Sequence, residues 1–207
     1  MPWTRGCLRK EVVMVGLTEL WLPILLSAVV VFVASSIMHA VLKYHESDYK
    51  PLPGESDVLE TMRKSGIGRG NYFFPHPGSH ADKNSPEFIA KCEQGPVGFA
   101  FIISNGPVAM GSTLAKWFIY LLAVSIMVAY VARLALVQAP VMSLMASTDY
   151  MRVFRVASTV AFLAYAGSEP ITAIWMGRKG SVVLKNMMDG LIYGLLTGGV
   201  FGWLWPQ

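Results

Sequence analysis

"DGLIYGLLTGGVFGWLWPQ", residues 189–207, carries a glycine at every fourth position, and this spacing decides how the surrounding helices pack. Glycine is among the poorest helix formers in water. In lipid, small residues let two helix backbones approach closely, and such close packing drives helices together. Residues four apart lie on one inclined ridge of a helix. The stretch therefore predicts a membrane helix whose packing face consists of Gly190, Gly194, Gly198 and Gly202.

The preceding apolar stretch is the expected partner of this ridge. It offers small residues at Ala157, Ala161, Ala164 and Gly167, and only "GRKGS", residues 177–181, links it to the glycine helix. So short a link makes the two helices antiparallel neighbours. We expect the ridge to pack inside this hairpin, with a seam between two copies of the chain as the alternative.

The composition of the whole chain is that of a membrane protein. Of 207 residues, 54% are hydrophobic and 14% are charged, against roughly 25% charged in soluble domains. About 20 mostly apolar residues cross a bilayer. Four segments qualify, approximately 17–42, 114–137, 153–176 and 184–205. We predict an all-α polytopic protein that forms a single membrane domain over 1–207, with one long polar loop, 43–113, between its first two transmembrane helices.

The first span and the loop charges determine the expected location. The uncharged run Leu22–Leu42 is longer than the apolar core of about 7–15 residues in a signal peptide, so we retain it as a span. Met14 is a candidate translation start.

The side with loops one and three carries eleven lysines and arginines against six on the other. The excess places loops one and three in the cytoplasm. We expect lipid as the partner, and no nucleic acid.

The long polar loop contains signals for short helices and turns. Asp57, with Glu60 three residues later, predicts a helix start. Ser85 followed by Pro86 predicts another. Residues 68–88 are rich in proline and glycine, which indicates turns. The uncharged segment 95–107 is too short to cross a membrane, so we interpret it as a buried or interfacial packing segment, with a re-entrant element as the alternative.

Two stretches carry a resemblance to known proteins. "ELWLPILLSAVVVFVASSIMH", residues 19–39, and "DGLIYGLLTGGVFGWLWP", residues 189–206, resemble a group of small bacterial membrane proteins without an assigned activity. The "FPH" at residues 74–76 adds to the likeness, which covers most of the chain. The resemblance implies a four-span protein of the bacterial inner membrane, and it assigns a role to no residue.

Ionisable residues inside the predicted spans are the leading candidate site, because they are costly in lipid. Glu169 and Asp189 each lie ten residues from Lys179, so the hairpin places them at the same depth. Two neighbouring carboxylates and a histidine suit a proton relay or a cation site. The alternative is a set of salt bridges and snorkelling side chains. The predicted polar cluster comprises His39, Lys116, Glu169, Lys185 and Asp189.

The remaining histidines are weak metal candidates. His76 and His80 lie four residues apart, but Pro77 and Gly78 deny them a common helix face. A b-type haem would need two histidines at matched depth, and His39 is the one histidine within a predicted span. From the sequence we expect no metal and no cofactor.

Polar residues are sparse in the predicted spans, and the sequence has no Walker, Rossmann, GxSxG or HExxH motif. These features favour a non-enzymatic structural or accessory protein that packs through its glycine-rich helix, as a homo-oligomer or within a larger membrane complex. The first alternative is a small oligomeric transporter or ion or proton channel that uses Glu169 and Asp189. The second is a metal- or cofactor-dependent membrane enzyme that uses His39, His76 and His80.

Overall fold

The computed structural model describes residues 15–136 and 150–206, and these are mostly helical. The candidate start at Met14 lies outside them. A short 3-10 turn, Leu17–Leu20, precedes the first helix, and others lie at Glu46–Asp48 and Ala81–Asn84. The α-helices of the described residues are α1 (Trp21–Ala40), α2 (Glu55–Lys64), α3 (Pro86–Gln94), α4 (Met110–Ala135), α5 (Tyr150–Ala166), α6 (Glu169–Met176) and α7 (Gly180–Trp203).

The described residues divide into two compact units. The helical unit comprises residues 15–45, 110–136, 150–169 and 184–206. The loop unit comprises residues 46–109 and 170–183. The helical unit thus contains α1, α4 and α5 together with most of α7, whereas α2 and α3 belong to the loop unit.

Two helical stretches are long and apolar enough to cross a membrane. They are Leu17–Ala40, with 24 residues, and Met110–Ala135, with 26. They coincide with the first two predicted spans. Of the other described helices, α5 has 17 residues, which is shorter than the roughly 20 that a span requires. The glycines, Asn186 and Asp189 make α7 less apolar, although it has 24 residues.

The third predicted span, 153–176, is not one continuous helix, and this part of the prediction was wrong. A turn at Gly167 and Ser168 separates α5 from α6. Proline has no backbone N–H, and its ring clashes with the carbonyl four residues earlier. For Pro170 that carbonyl belongs to Ala166, the last residue of α5. The proline therefore explains why the helix stops where it does.

Within the helical unit, α4 packs against both α1 and α5. Fully buried Leu20 of the first 3-10 turn, Val128 of α4 and Phe201 of α7 belong to one core cluster. Between α1 and α4, the Ser27 hydroxyl donates to Ser125 Oγ at 3.0 Å. Both serines are completely buried, so each hydroxyl needs a partner inside the protein.

The glycine ridge of α7 lies directly against α5. An added Cβ would approach Ala166 to 2.7 Å at Gly190 and the Tyr150 ring to 2.7 Å at Gly202, where ordinary contacts begin at 3.4 Å. At Gly194 and Gly198 the nearest atoms of α5 belong to Ser158. The backbones are thus close enough that only glycine fits along the ridge, and the ridge is occupied within a single chain.

The loop unit contains a small sheet as well as helices. Strands β1 (Gly70–Phe74) and β2 (Gly98–Ile102) pair antiparallel, with Tyr72 opposite Ala100. The prediction of turns alone over 68–88 therefore missed β1. The segment 95–107 contains β2, and its side chains Phe99 and Phe101 are exposed. These exposed side chains do not fit a buried segment, and the interfacial interpretation stays a prediction. The sequence did not indicate the strand, because its partner lies about two dozen residues away, beyond the reach of local pattern.

The two predicted short helices of the loop unit are present. Helix α3 begins as predicted: the Ser85 hydroxyl accepts a hydrogen bond from the Phe88 N–H at 3.2 Å, and Pro86 occupies the first turn. Helix α2 begins at Glu55, three residues earlier than predicted from Asp57 as the N-cap. Gly54 precedes it in the left-handed region at φ 63°, a conformation that glycine adopts easily.

Candidate metal centre

Asp189 is a buried carboxylate on α7, 4% exposed. A buried carboxylate requires partners for its charge. Its Oδ1 accepts a hydrogen bond from the Tyr44 hydroxyl. Its Oδ2 lies 2.8 Å from His45 Nε2 and 3.9 Å from His39 Nε2. Two imidazoles and a phenol from the end of the first span thus surround one acid from the last helix.

A turn after α1 brings Tyr44 and His45 to α7. Helix α1 ends at Ala40, and Lys43 adopts a left-handed backbone at φ 52°. This conformation reverses the chain direction, which a continued helix would not allow. The Lys185 ammonium of α7 donates to the Tyr44 carbonyl at 2.5 Å and secures the turn.

The two histidine rings lie side by side, with both Nε2 atoms near Asp189 Oδ2. They stack with centroids 4.5 Å apart and an interplanar angle of 11°. His39 Nδ1 lies 3.0 Å from the Ser35 carbonyl oxygen. A carbonyl only accepts, so Nδ1 carries the proton and a neutral His39 keeps its lone pair on Nε2. That nitrogen is the one on the Asp189 side.

The three side chains have the composition and spacing of a metal site. One ligand atom from each of His39, His45 and Asp189 lies within 4.8 Å of the other two. Two ligands at about 2.0–2.1 Å from a tetrahedral Zn²⁺ are themselves about 3.3 Å apart. The distances from Asp189 Oδ2 to the two imidazole nitrogens, 2.8 and 3.9 Å, fall on either side of that value.

The outer contacts of the cluster are those that orient metal ligands. Metal-bound histidines commonly donate their second N–H to a carbonyl or carboxylate, as His39 donates to the Ser35 carbonyl. The Tyr44 hydroxyl occupies Oδ1 of Asp189 and leaves Oδ2 toward the histidines. His45 is 15% and Asp189 6% exposed by side chain, while His39 is 55% exposed. The centre is therefore open on the His39 side.

The structure brings part of the predicted polar cluster together. His39 and Asp189 lie close together, and Lys185 contacts the turn after α1 through the Tyr44 carbonyl. Glu169 accepts a hydrogen bond from the Asn186 amide at 2.9 Å, one turn before Asp189 on α7. Lys116 is exposed on α4 and is not among the residues that line the adjacent cavity.

The predicted metal candidates His76 and His80 do not form a site. Both are exposed in the loop unit, and His76 Nδ1 accepts the Gly78 N–H at 3.1 Å. Within residues 15–136 and 150–206, no three-ligand group includes either of them. The ligand that sequence reasoning missed is His45, which was assigned to the polar loop. The available signal was a second histidine six residues after His39, at the same membrane end.

A cavity of about 830 Å³ adjoins the centre within the helical unit. His39 and Asp189 lie on its wall, and Glu169 and Asn186 line it nearby. Aromatic side chains also line it, among them Trp117 and Tyr193, whose rings contact each other edge-on with centroids 6.4 Å apart. Pockets of this size hold small organic ligands. The cavity thus gives a small molecule access to the two ligands His39 and Asp189.

No protein-family model matches the chain, and no curated protein or solved structure matches it. The resemblance to small bacterial membrane proteins therefore stays a prediction. The function of the centre has to be argued from its own geometry.

Proposed function

We propose that this chain is a membrane protein that binds one divalent transition-metal ion through His39 Nε2, His45 Nε2 and Asp189 Oδ2. The observation that carries the proposal is the convergence of three ligand atoms within 4.8 Å around a buried carboxylate. Two imidazoles and one carboxylate are ligands typical of Zn²⁺ and Fe²⁺. Of the functions that the sequence suggested, this is closest to the metal-dependent protein. Its ligands besides His39 are His45 and Asp189 instead of His76 and His80.

The membrane location is part of the proposal. Helices α1 and α4 have the length and composition of spans, and α7 adds 24 residues that pack along α5 through the glycine ridge. We infer a domain of four membrane helices, in which α5 is the shortest at 17 residues, or about 26 Å. The resemblance to small bacterial membrane proteins favours a bacterial inner membrane, and the excess of lysine and arginine favours a metal centre at its cytoplasmic end.

Three protein ligands leave at least one coordination position for water or substrate, as in catalytic zinc sites. The exposed ring of His39 and the cavity wall make that position accessible to a small molecule. A bound metal there would supply a Lewis acid that polarises a carbonyl or activates water. The chain's own residues position the ligands: the Ser35 carbonyl fixes the His39 tautomer, and the Tyr44 hydroxyl orients Asp189.

The glycine ridge argues against the accessory role as first expected. Its surface is covered by α5 of the same chain, so it offers no face to another subunit. A transporter of divalent cations is the second candidate, because the same ligands would form its binding site. Zn²⁺ uptake into proteoliposomes, measured with an internal indicator dye, separates a transporter from an enzyme.

Metal analysis of the protein in lipid nanodiscs tests the proposal. We expect one Zn²⁺ per chain after loading and dialysis, and loss of that ion in His45→Gln and in Asp189→Asn. The double variant His76→Gln/His80→Gln is the matched control and should retain the ion. Retention in both site variants, or loss in the control, would overturn the proposal.

A further inference from the structure

The loop unit carries an apolar strand face that none of its described neighbours covers. In an antiparallel pair, residues opposite each other share a face. Phe99 of β2 lies opposite Phe73 of β1, and their ring centroids are 4.8 Å apart. Phe101 is on the same face, since side chains two apart point the same way. Phe99 is 42% and Phe101 58% exposed.

The apolar character of β2 continues along the sequence into α4, which has the length and composition of a membrane span. After β2, the side chains of Ile103, Val108 and Met110 are 68%, 63% and 60% exposed, and Met110 is the first residue of α4. No charged residue occurs between Gly95 and Ala115. The linker of seven residues, 103–109, spans at most about 25 Å when extended.

We infer that the face formed by Phe99 and Phe101, here called the aromatic strand face, inserts into the headgroup region of the lipid bilayer. The inference rests on the membrane location proposed above and goes beyond the metal centre. Large apolar side chains gain free energy when they leave water, and an uncharged run enters the interface without having to desolvate a charge. The short linker keeps the strand within reach of the bilayer in which α4 is embedded.

The opposite face of the ribbon is less exposed than the aromatic strand face, and Phe74 on it is 38% exposed. Tyr72 lies there, 37% exposed, and its hydroxyl donates to the Gly68 carbonyl at 2.9 Å. Its partner position is the small residue Ala100. The two faces of one ribbon thus provide an internal comparison for any probe of lipid contact.

Site-directed fluorescence of the full chain in nanodiscs tests the inference. In a background of Cys7→Ser and Cys92→Ser, an environment-sensitive dye is attached at Phe101→Cys, at Tyr72→Cys or at Ile126→Cys. Ile126 is 48% exposed in the middle of α4 and reports the span itself. Nitroxide lipids labelled near the headgroup and deep in the acyl chain serve as quenchers.

We expect the dye at residue 101 to show blue-shifted emission and quenching by the shallow nitroxide, the dye at 126 to be quenched by the deep one, and the dye at 72 to remain unquenched. Quenching at 126 without quenching at 101 would overturn the strand inference and leave the membrane location intact. Absence of quenching at 126 would overturn the membrane location, and the strand inference with it. Metal content, measured on the same samples, reports on the metal centre separately.

Discussion

His45 Nε2 lies 2.8 Å from Asp189 Oδ2, although 144 residues separate the two in sequence. The contact joins the end of the first span to the last helix and turns a buried acid into part of a three-ligand group. It depends on the left-handed turn at Lys43, which directs His45 back toward α7.

The hydroxyl of Tyr44 should matter for metal affinity although it is not a ligand. Tyr44→Phe keeps the ring and removes the hydrogen bond to Asp189 Oδ1. Removing an outer-shell partner of this kind lowers metal affinity by about 10–100-fold. Competition titration with a chelating dye measures the change. Tyr49→Phe, at a residue 82% exposed, is the control and should bind as the wild type does. Equal affinity in both variants would show that the phenol does not orient the carboxylate.

Two adjacent glycines of α7 should respond oppositely to alanine. At Gly198 an added methyl group would lie 2.8 Å from the Phe154 carbonyl oxygen and closer still to Ser158. Such overpacking costs about 1–3 kcal/mol. At Gly199 the nearest atom, the Tyr150 hydroxyl, is 3.9 Å away, so Gly199→Ala should gain up to about 1 kcal/mol of helix propensity. Thermal unfolding in one detergent compares the two.

A stabilisation by Gly198→Ala would contradict the close packing of α7 on α5. A destabilisation by Gly199→Ala equal to that at 198 would show that the contacts are not confined to one ridge.

The serine pair between α1 and α4 should contribute a measurable coupling. A double-mutant cycle of Ser27→Ala and Ser125→Ala removes the 3.0 Å hydrogen bond from each side. Hydrogen bonds between membrane helices average about 0.6 kcal/mol in such cycles. Unfolding free energies of the four proteins give the coupling. Ser36→Ala serves as the control, because the Ser36 hydroxyl is exposed and bonds only to the Phe32 carbonyl of its own helix. A coupling of zero would mean that the pair does not join the helices.

Local pattern predicted much of the helical unit. Apolar length predicted the first two spans, and the four-residue spacing of glycine predicted a close contact that the structure places between α7 and α5. The equal distance of Glu169 and Asp189 from the hairpin turn placed them at one depth, and both line the same cavity. These features follow from helical geometry, which is fixed by local sequence.

Other features depend on non-local contacts, and they were missed. His45 reaches Asp189 through one left-handed residue, Lys43, and lysine has no strong preference for that conformation. Strand β2 is defined by pairing with β1, which hydropathy does not report. The break at Gly167 was within reach of the sequence, because Pro170 lies inside the third predicted span and a proline disrupts the helical turn before it.

X-ray absorption at the zinc edge of the loaded protein in nanodiscs tests the centre most directly. With His39, His45 and Asp189 as ligands, we expect two imidazoles and only light N and O neighbours at about 2.0–2.2 Å, and a single imidazole in His45→Gln if any zinc is retained there. A sulfur neighbour at about 2.3 Å, or two imidazoles persisting in His45→Gln, would contradict the account.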